Sequence, residues 1–308
     1  MRHIPPLDLV GKDKLDFDLY DDKGQKVYNS GEILTPGLLM KLCSIKIFVN
    51  DEKSEANNIK NQKGLKHKPL ISEKTTENLV KNAKSMLKRV YNDEKPDEAA
   101  FKETTNIIIE EVSKNLEKID CISQLRIFDE YTYSHTVNVS TMSASIGMIL
   151  GLAEDEVQEL ALGALLHDVG KMLVPKEILN KPAKLDPEEF DIMKSHTLLG
   201  YRYILEKLNV PDKVARVALD HQEKYGGGGY PNGLKGKEIN FYAQITSISD
   251  VYDALISNRV YKSGMKSTKA IEIMILDGRK CFNPFILSKF IGITDYKNKP
   301  ALILDSRD

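Results

Sequence analysis

From Ser72 onward apolar residues return at three- and four-residue steps almost without interruption, which restricts most of the chain to packed helices. The pattern predicts helices at about 74–93, 97–118, 131–150, 155–169, 187–207, 211–224, 240–257, 267–277 and 283–291. No GxGxxG turn, P-loop or obvious internal repeat interrupts them. The run Leu160-Ala161-Leu162-Gly163-Ala164-Leu165-Leu166 is almost wholly apolar and reads as a buried helix, ending in His167-Asp168 just before Gly170. Two adjacent ionisable residues at the end of a buried helix are costly unless neutralised, and a metal ion supplies that compensation. Thr132–Leu150 shows a plainer pattern, in which Val137, Met142, Ile146 and Ile149 predict one apolar stripe that ends at Gly151.

Residues 1–50 read differently. Short runs at Leu15–Tyr20, Lys26–Tyr28 and Ile45–Val49, with turn chemistry at Asp21-Asp22-Lys23-Gly24, predict small strands. Thr35-Pro36 before Gly37–Leu42 predicts a short helix. The expected organisation is a small α+β module at 1–50, a polar linker at 51–71 too poor in apolar residues to order itself, and an all-α domain at 72–308. The fold class is therefore mainly α, a helical bundle preceded by a small α+β module. The module carries no acceptor-aspartate signature, haem motif or nucleotide loop, and its position points to regulation or to recruitment of a partner.

The 44 basic and 45 acidic residues nearly cancel, so no global field draws the chain to duplex nucleic acid or an anionic membrane. Cys43, Cys121 and Cys281 are odd in number and far apart, as expected of free thiols in a reducing compartment. MRHIPPLDLV has no apolar signal region and no stretch approaches 18 uninterrupted apolar residues, so a cytoplasmic protein without a membrane span is expected.

Only six histidines occur, and the four beyond residue 100 are His135, His167, His196 and His221; His135, His196, His221 and Asp250 each fall on a separate predicted helix, and His167-Asp168 lie together at the end of another. Imidazole and carboxylate donors suit divalent transition metals, a carboxylate can bridge two of them, and ligands pointing inward from several helices are how bundles build such centres. A metal-dependent hydrolase follows. Taken singly, each histidine is more often a satisfied structural side chain. Lys171, one turn beyond His167, offers a general acid or a charge for a transferring phosphoryl group; a lysine set against a helix C-terminus is the alternative.

HDVGK at 167–171, VPKEILNKPAKLDPEE at 174–189, KSHTLLG at 194–200, HQEKYGGGGYPNGLKGKEI at 221–239 and SISDVYDALISNRVYK at 247–262 together resemble the HD-GYP branch of the HD-domain metal-dependent phosphohydrolases. The likeness runs over roughly 125–290. It implies a helical domain with two or three metal ions, often iron, that hydrolyses cyclic di-GMP to a linear dinucleotide or GMP. It matches His135, His167, Asp168, His196, His221 and Asp250 to metal ligands, with Asp168 bridging, and Lys171 to the lysine after the HD pair. Gly229-Tyr230-Pro231 matches the GYP signature, whose Tyr ring can meet a guanine; alone, the four glycines at 226–229 would read as a loose surface turn. Arg259 and Lys262 match positions that meet the phosphates; without the resemblance they would read as an exposed charged pair.

Three departures qualify these implications. His221-Gln222-Glu223 stands where many members have two histidines before the glutamate, and an amide oxygen is a weaker donor than imidazole. Tyr131 stands four residues before His135, where members with three ions have glutamate. Both changes favour a centre of two divalent ions, iron or else manganese. Gly226 stands where the common pattern has aspartate, which removes an anchor for the loop carrying Tyr230. The main expectation is a binuclear cyclic di-GMP phosphodiesterase; the alternatives are a sensor that retains the metal and the nucleotide without turnover, and an enzyme for another phosphoester. A regulatory protein partner or a homodimer stays open, because the stripes at 74–93 and 97–118 can pair within the chain or across a dimer.

Overall fold

The computed structural model describes residues 2–4, 14–21, 23–33, 38, 42, 47–49, 71–115, 131–257, 265–292 and 294. The linker at 51–70, Cys43, Cys121, Arg259 and Lys262 lie outside them, as does the predicted helix at 37–42 apart from the helical Leu38 and Leu42. Among the described residues no helix is long and apolar enough to cross a membrane.

Near the N-terminus, β1 (Arg2–Ile4), β2 (Leu19–Tyr20), β3 (Lys26–Tyr28) and β4 (Ile47–Val49) form an antiparallel sheet in the order β1-β4-β2-β3. The β2–β3 turn is held by Asp21, whose Oδ1 accepts from the amides of Lys23 (3.0 Å) and Gln25 (2.8 Å), while Gly24 supplies the required positive φ of 78°. Leu15, Leu19, Leu42, Ile47 and Val49 make a small core of their own. Strand β1 had no counterpart in the sequence reading; it pairs Arg2–Ile4 with Val49–Ile47.

The rest is helical: α1 (Glu73–Tyr91), α2 (Glu98–Asn115), α3 (Tyr131–Ile149), α4 (Glu154–Leu166), a 3-10 turn at Val169–Leu173, α5 (Lys176–Leu179), α6 (Pro187–Lys194), α7 (His196–Lys207), α8 (Asp212–Asp220), a 3-10 turn at Gly236–Glu238, α9 (Phe241–Ile256), α10 (Ser267–Cys281) and α11 (Pro284–Gly292). The protein is mainly α. Both stripes of α1 and α2 are buried within the chain, through Leu79, Ala83, Met86, Leu87 and Val90 on α1 and Phe101, Ile108 and Val112 on α2.

Helix α3 departs from the single-stripe expectation, because every residue from Ser134 to Gly147 is buried. It is the central helix, packed on α1, α2, α4 and α9. Small residues let its neighbours approach, and the hydroxyls stay satisfied. Thr141 and Ser145 donate to carbonyls one turn back, at Val137 (2.9 Å) and Thr141 (2.8 Å). Ser140 donates to Ala161 O on α4 (2.8 Å), and Ser143 meets Ser249 on α9 (3.0 Å). A Cβ on Gly147 would sit 2.8 Å from Leu160 Cδ2, so α3 and α4 touch where the glycine leaves room.

The predicted helix at 187–207 is two helices that break at Ser195. Ser195 Oγ donates to Ile192 O (2.6 Å), His196 Nδ1 to Met193 O (2.8 Å) and Thr197 Oγ1 to Lys194 O (3.0 Å). Three consecutive side chains thus take up the carbonyls that the end of α6 leaves open. Likewise α4 stops at Leu166 rather than 169 and α8 at Asp220 rather than 224, while α10 runs on to Cys281.

Candidate metal centre

The six predicted ligands converge. His135 lies in the first turns of α3, His167 caps α4, Asp168 leads into the 3-10 turn, His196 opens α7, His221 caps α8 and Asp250 lies in the third turn of α9. All four histidines are at least 94% buried.

Each ring is fixed through Nδ1. His167, His196 and His221 donate Nδ1–H to the carbonyls three residues earlier, at Ala164 (2.8 Å), Met193 (2.8 Å) and Ala218 (3.0 Å). A carbonyl only accepts, so these contacts put the proton on Nδ1 and leave Nε2 as the lone-pair nitrogen. His135 instead pairs Nδ1 with Asp253 Oδ2 (2.7 Å), and Asp253 Oδ1 accepts from Asn138 Nδ2 (2.8 Å).

The four Nε2 atoms face Asp168 from two sides. Oδ2 lies 3.3 Å from His167 and 3.9 Å from His135; Oδ1 lies 3.5 Å from His196 and 3.6 Å from His221. Asp250 Oδ1 adds to the first side, 3.2 Å from His135 Nε2. Ligand atoms of His135, His167 and Asp250 all lie within 4.8 Å of one another, as do those of His167, Asp168 and His221. His167 belongs to both triplets; its shorter approach to Oδ2 groups it with His135.

These residues fit divalent cations. His196 and His221 present their Nε2 atoms to each other at 3.4 Å, and with both Nδ1 protons donated to carbonyls no hydrogen stands between two lone pairs. Only a positive species between them makes that arrangement favourable, and about 3.4 Å is the separation of two nitrogens bound at ~2.1 Å around one tetrahedral ion. His167 Nε2 and Asp168 Oδ1 are likewise buried without a hydrogen-bond partner.

Electrostatics agree. Burial is the largest influence on His135 and opposes its charge, yet Asp250 and Asp253 together raise it to about 10, and a cation held at Nε2 would take the place of that proton. His196 is pulled down to about 4 by burial and by His221, so the ring is neutral, as a ligand must be. Burial works against ionisation of Asp168 and Asp250 as well, but Lys171 and His167 beside the first, and His135 and His167 beside the second, hold both well below the usual carboxylate range. Lys171 Nζ reaches Asp168 Oδ2 at 2.5 Å, so it neutralises the carboxylate directly instead of facing a helix end.

Tyr230 stands at the rim, half-buried, its ring edge-on to His196 with centroids 6.3 Å apart. Burial raises its pKa, helped by Asp168 and Asp250, so the hydroxyl stays a donor. The loop before it is anchored despite the missing aspartate. Gly226 N donates to Lys280 O (2.8 Å), Tyr225 N to Cys281 O (3.0 Å) and Tyr230 N to Gln222 O (3.3 Å). A Cβ on Gly229 would fall 2.5 Å from Glu223 Cα and Lys224 N, which is why the chain can fold back here only through glycine. Gln222 Nε2 donates toward Asp250 Oδ2 (3.4 Å). The side chain of Tyr131 is outside the described residues.

Sequence reasoning missed Asp253, Asn138 and Glu223. The first two carried a signal: each lies three residues after a predicted ligand, Asn138 after His135 and Asp253 after Asp250, on the same helical face. Glu223 is buried and pins the far end of the loop, accepting from Asn232 N (2.7 Å).

The arrangement of buried ring nitrogens around a shared aspartate in a helical bundle defines a class. A family model described as "HD domain" matches residues 110–285, more than half of the chain. The chain belongs to the HD-domain family, in its HD-GYP branch. A cyclic di-GMP phosphodiesterase of Thermotoga maritima is 38% identical over 212 residues, which cover 68% of this chain and 55% of that protein. The cyclic di-GMP phosphodiesterase PA4108 of Pseudomonas aeruginosa is 39% identical over 168 residues, 54% of this chain and 40% of that one. The chain thus spans about half the length of these relatives. Bd1817, an HDG"Y"P protein from Bdellovibrio bacteriovorus, shares the fold with a TM-score of 0.55 and 19% identity, over 95% of this chain and 98% of that one.

Proposed function

We propose that the chain is a metal-dependent phosphodiesterase that opens cyclic di-GMP or a related cyclic dinucleotide in the cytoplasm, with His135, His167, Asp168, His196, His221 and Asp250 as the residues that would hold two divalent cations. The observation that carries this reading is the pair of facing Nε2 atoms of His196 and His221 beside Asp168 Oδ1, mirrored by His135, His167 and Asp250 around Oδ2. The names of the two relatives supply the substrate class. Bound cations would supply Lewis acidity toward the phosphoryl oxygens and lower the pKa of water. In the reaction a water oxygen joins phosphorus and the ester oxygen leaves as a hydroxyl. Lys171, beside Asp168, offsets charge on the phosphoryl oxygens or gives its proton to the leaving oxygen. Tyr230, with its hydroxyl protonated and its ring against His196, closes on a guanine, and Arg259 and Lys262 meet the phosphates.

Iron is the expected metal and manganese the substitute. Product chromatography on anaerobic, metal-analysed protein given cyclic di-GMP tests the reading, with a linear dinucleotide or GMP as the expected product. Stoichiometric metal and tight nucleotide binding without product would favour a sensor, a reading supported by Gln222 turning its nitrogen to Asp250. Competition by other cyclic dinucleotides distinguishes a change of substrate. The N-terminal module is assigned a regulatory role, and equal activity and ligand affinity of the full chain and of residues 72–308 would remove it.

A further inference from the structure

The two sides of Asp168 are built differently, and the difference lies behind the ligands. On the Oδ1 side, His196 and His221 are both held by neutral main-chain carbonyls. On the Oδ2 side, His167 is held by a carbonyl but His135 is held by the Asp253 carboxylate, and Asp250 adds a second negative charge facing His135 Nε2 at 3.2 Å. Asp253 is almost wholly buried, and Asn138 fixes it by donating to its other oxygen. A buried carboxylate that accepts Nδ1–H polarises the ring toward Nε2 and makes it a stronger donor, and such an outer partner typically changes metal affinity by about 10–100-fold.

From this geometry we infer that Asp253 is a positioning residue for His135 and makes the His135–His167–Asp250 side the tighter of two unequal cation sites. The His196–His221 side, which has no carboxylate apart from the shared Asp168 among the ligands assigned to it, is the weaker and more readily exchanged. The inference rests on the binuclear reading above, and the consequence is concrete. At limiting metal the chain holds one ion on the α3–α9 side, and the second site fills only as the free concentration rises.

Titration of metal-free full-length protein with Mn²⁺ alone, followed by calorimetry and by the signal of free Mn²⁺, tests this without reference to turnover. Wild-type protein is expected to bind in two phases separated by at least ~10-fold in affinity. Asp253→Asn, which keeps the shape but loses the charge, is expected to weaken the tight phase by ~10–100-fold and leave the weak phase in place. Asn138→Ala is expected to shift the same phase in the same direction by less, and it covers the case in which Asp253→Asn does not fold. Two wild-type phases of equal affinity would overturn the inference, as would an Asp253→Asn protein with both phases unchanged or both lost. Failure of folded wild-type protein to bind Mn²⁺ at all would instead overturn the binuclear reading itself.

Discussion

His135 sits inside a helix, whereas His167, His196 and His221 sit at helix ends, and the two positions solve the same problem by different means. At a helix end the last carbonyls lack intrahelical partners, so a histidine there finds an acceptor for Nδ1 three residues back in its own backbone. Inside α3 the carbonyls already carry the helix ladder, and His135 Nδ1 pairs instead with a side chain from another helix, Asp253 on α9. End-placed histidines are therefore secured by local backbone and depend on where each helix stops. The interior histidine depends on the packing of α3 against α9.

The first way to sharpen this contrast is to remove the metal. Without cations the facing nitrogens of His196 and His221 lose their shared partner, so a chelator should lower the thermal midpoint; saturating metal at a thousand times its Kd stabilises by about 4 kcal/mol. Unchanged melting of a demonstrably metal-bound sample would mean that the ring geometry stands on hydrogen bonds alone. Next comes Gly170→Ala. Its Cβ would fall 2.5 Å from Gly200 N and still closer to His196 O, both backbone atoms, so the turn after Asp168 must move from the start of α7. A loss of about 3 kcal/mol in denaturant unfolding is expected, with weakened metal binding on the His196–His221 side.

Tyr230→Ala should raise the Kd for a cyclic dinucleotide by roughly 10-fold, as expected for loss of one aromatic contact, with metal content unchanged. A fall in metal content would show that the loop helps to build the centre. The smallest effect is expected from Thr197→Val, which removes the donor to Lys194 O at the α6–α7 break and should cost about 1 kcal/mol in unfolding experiments. A larger loss would show that the break depends on that hydroxyl more than on Ser195 and His196.

Much of the contrast was open to the sequence. The apolar run from Leu160 to Leu166 announced a buried helix ending in His167-Asp168, and the structure places both there. The break at Ser195 was not legible, because KSHTLLG continues the helical period and only the side chains' return to the carbonyls interrupts the ladder. The period of α3 predicts one apolar face because Ser140, Ser143 and Ser145 count as polar in any periodicity, although each hydroxyl is satisfied internally and the residues are buried. The spacing of Asp253 from Asp250 places it on the same helical face but does not name its partner, because its role depends on a contact with a residue 118 positions away.

The claim underlying all of this is that both oxygens of Asp168 serve cations at once. Metal analysis of anaerobically purified protein beside its Asp168→Ala variant tests it most directly. The account predicts about two ions per wild-type chain and nearly complete loss in a variant that remains folded. Equal metal content in the two proteins, or a wild-type sample that neither carries nor takes up stoichiometric metal, would contradict it.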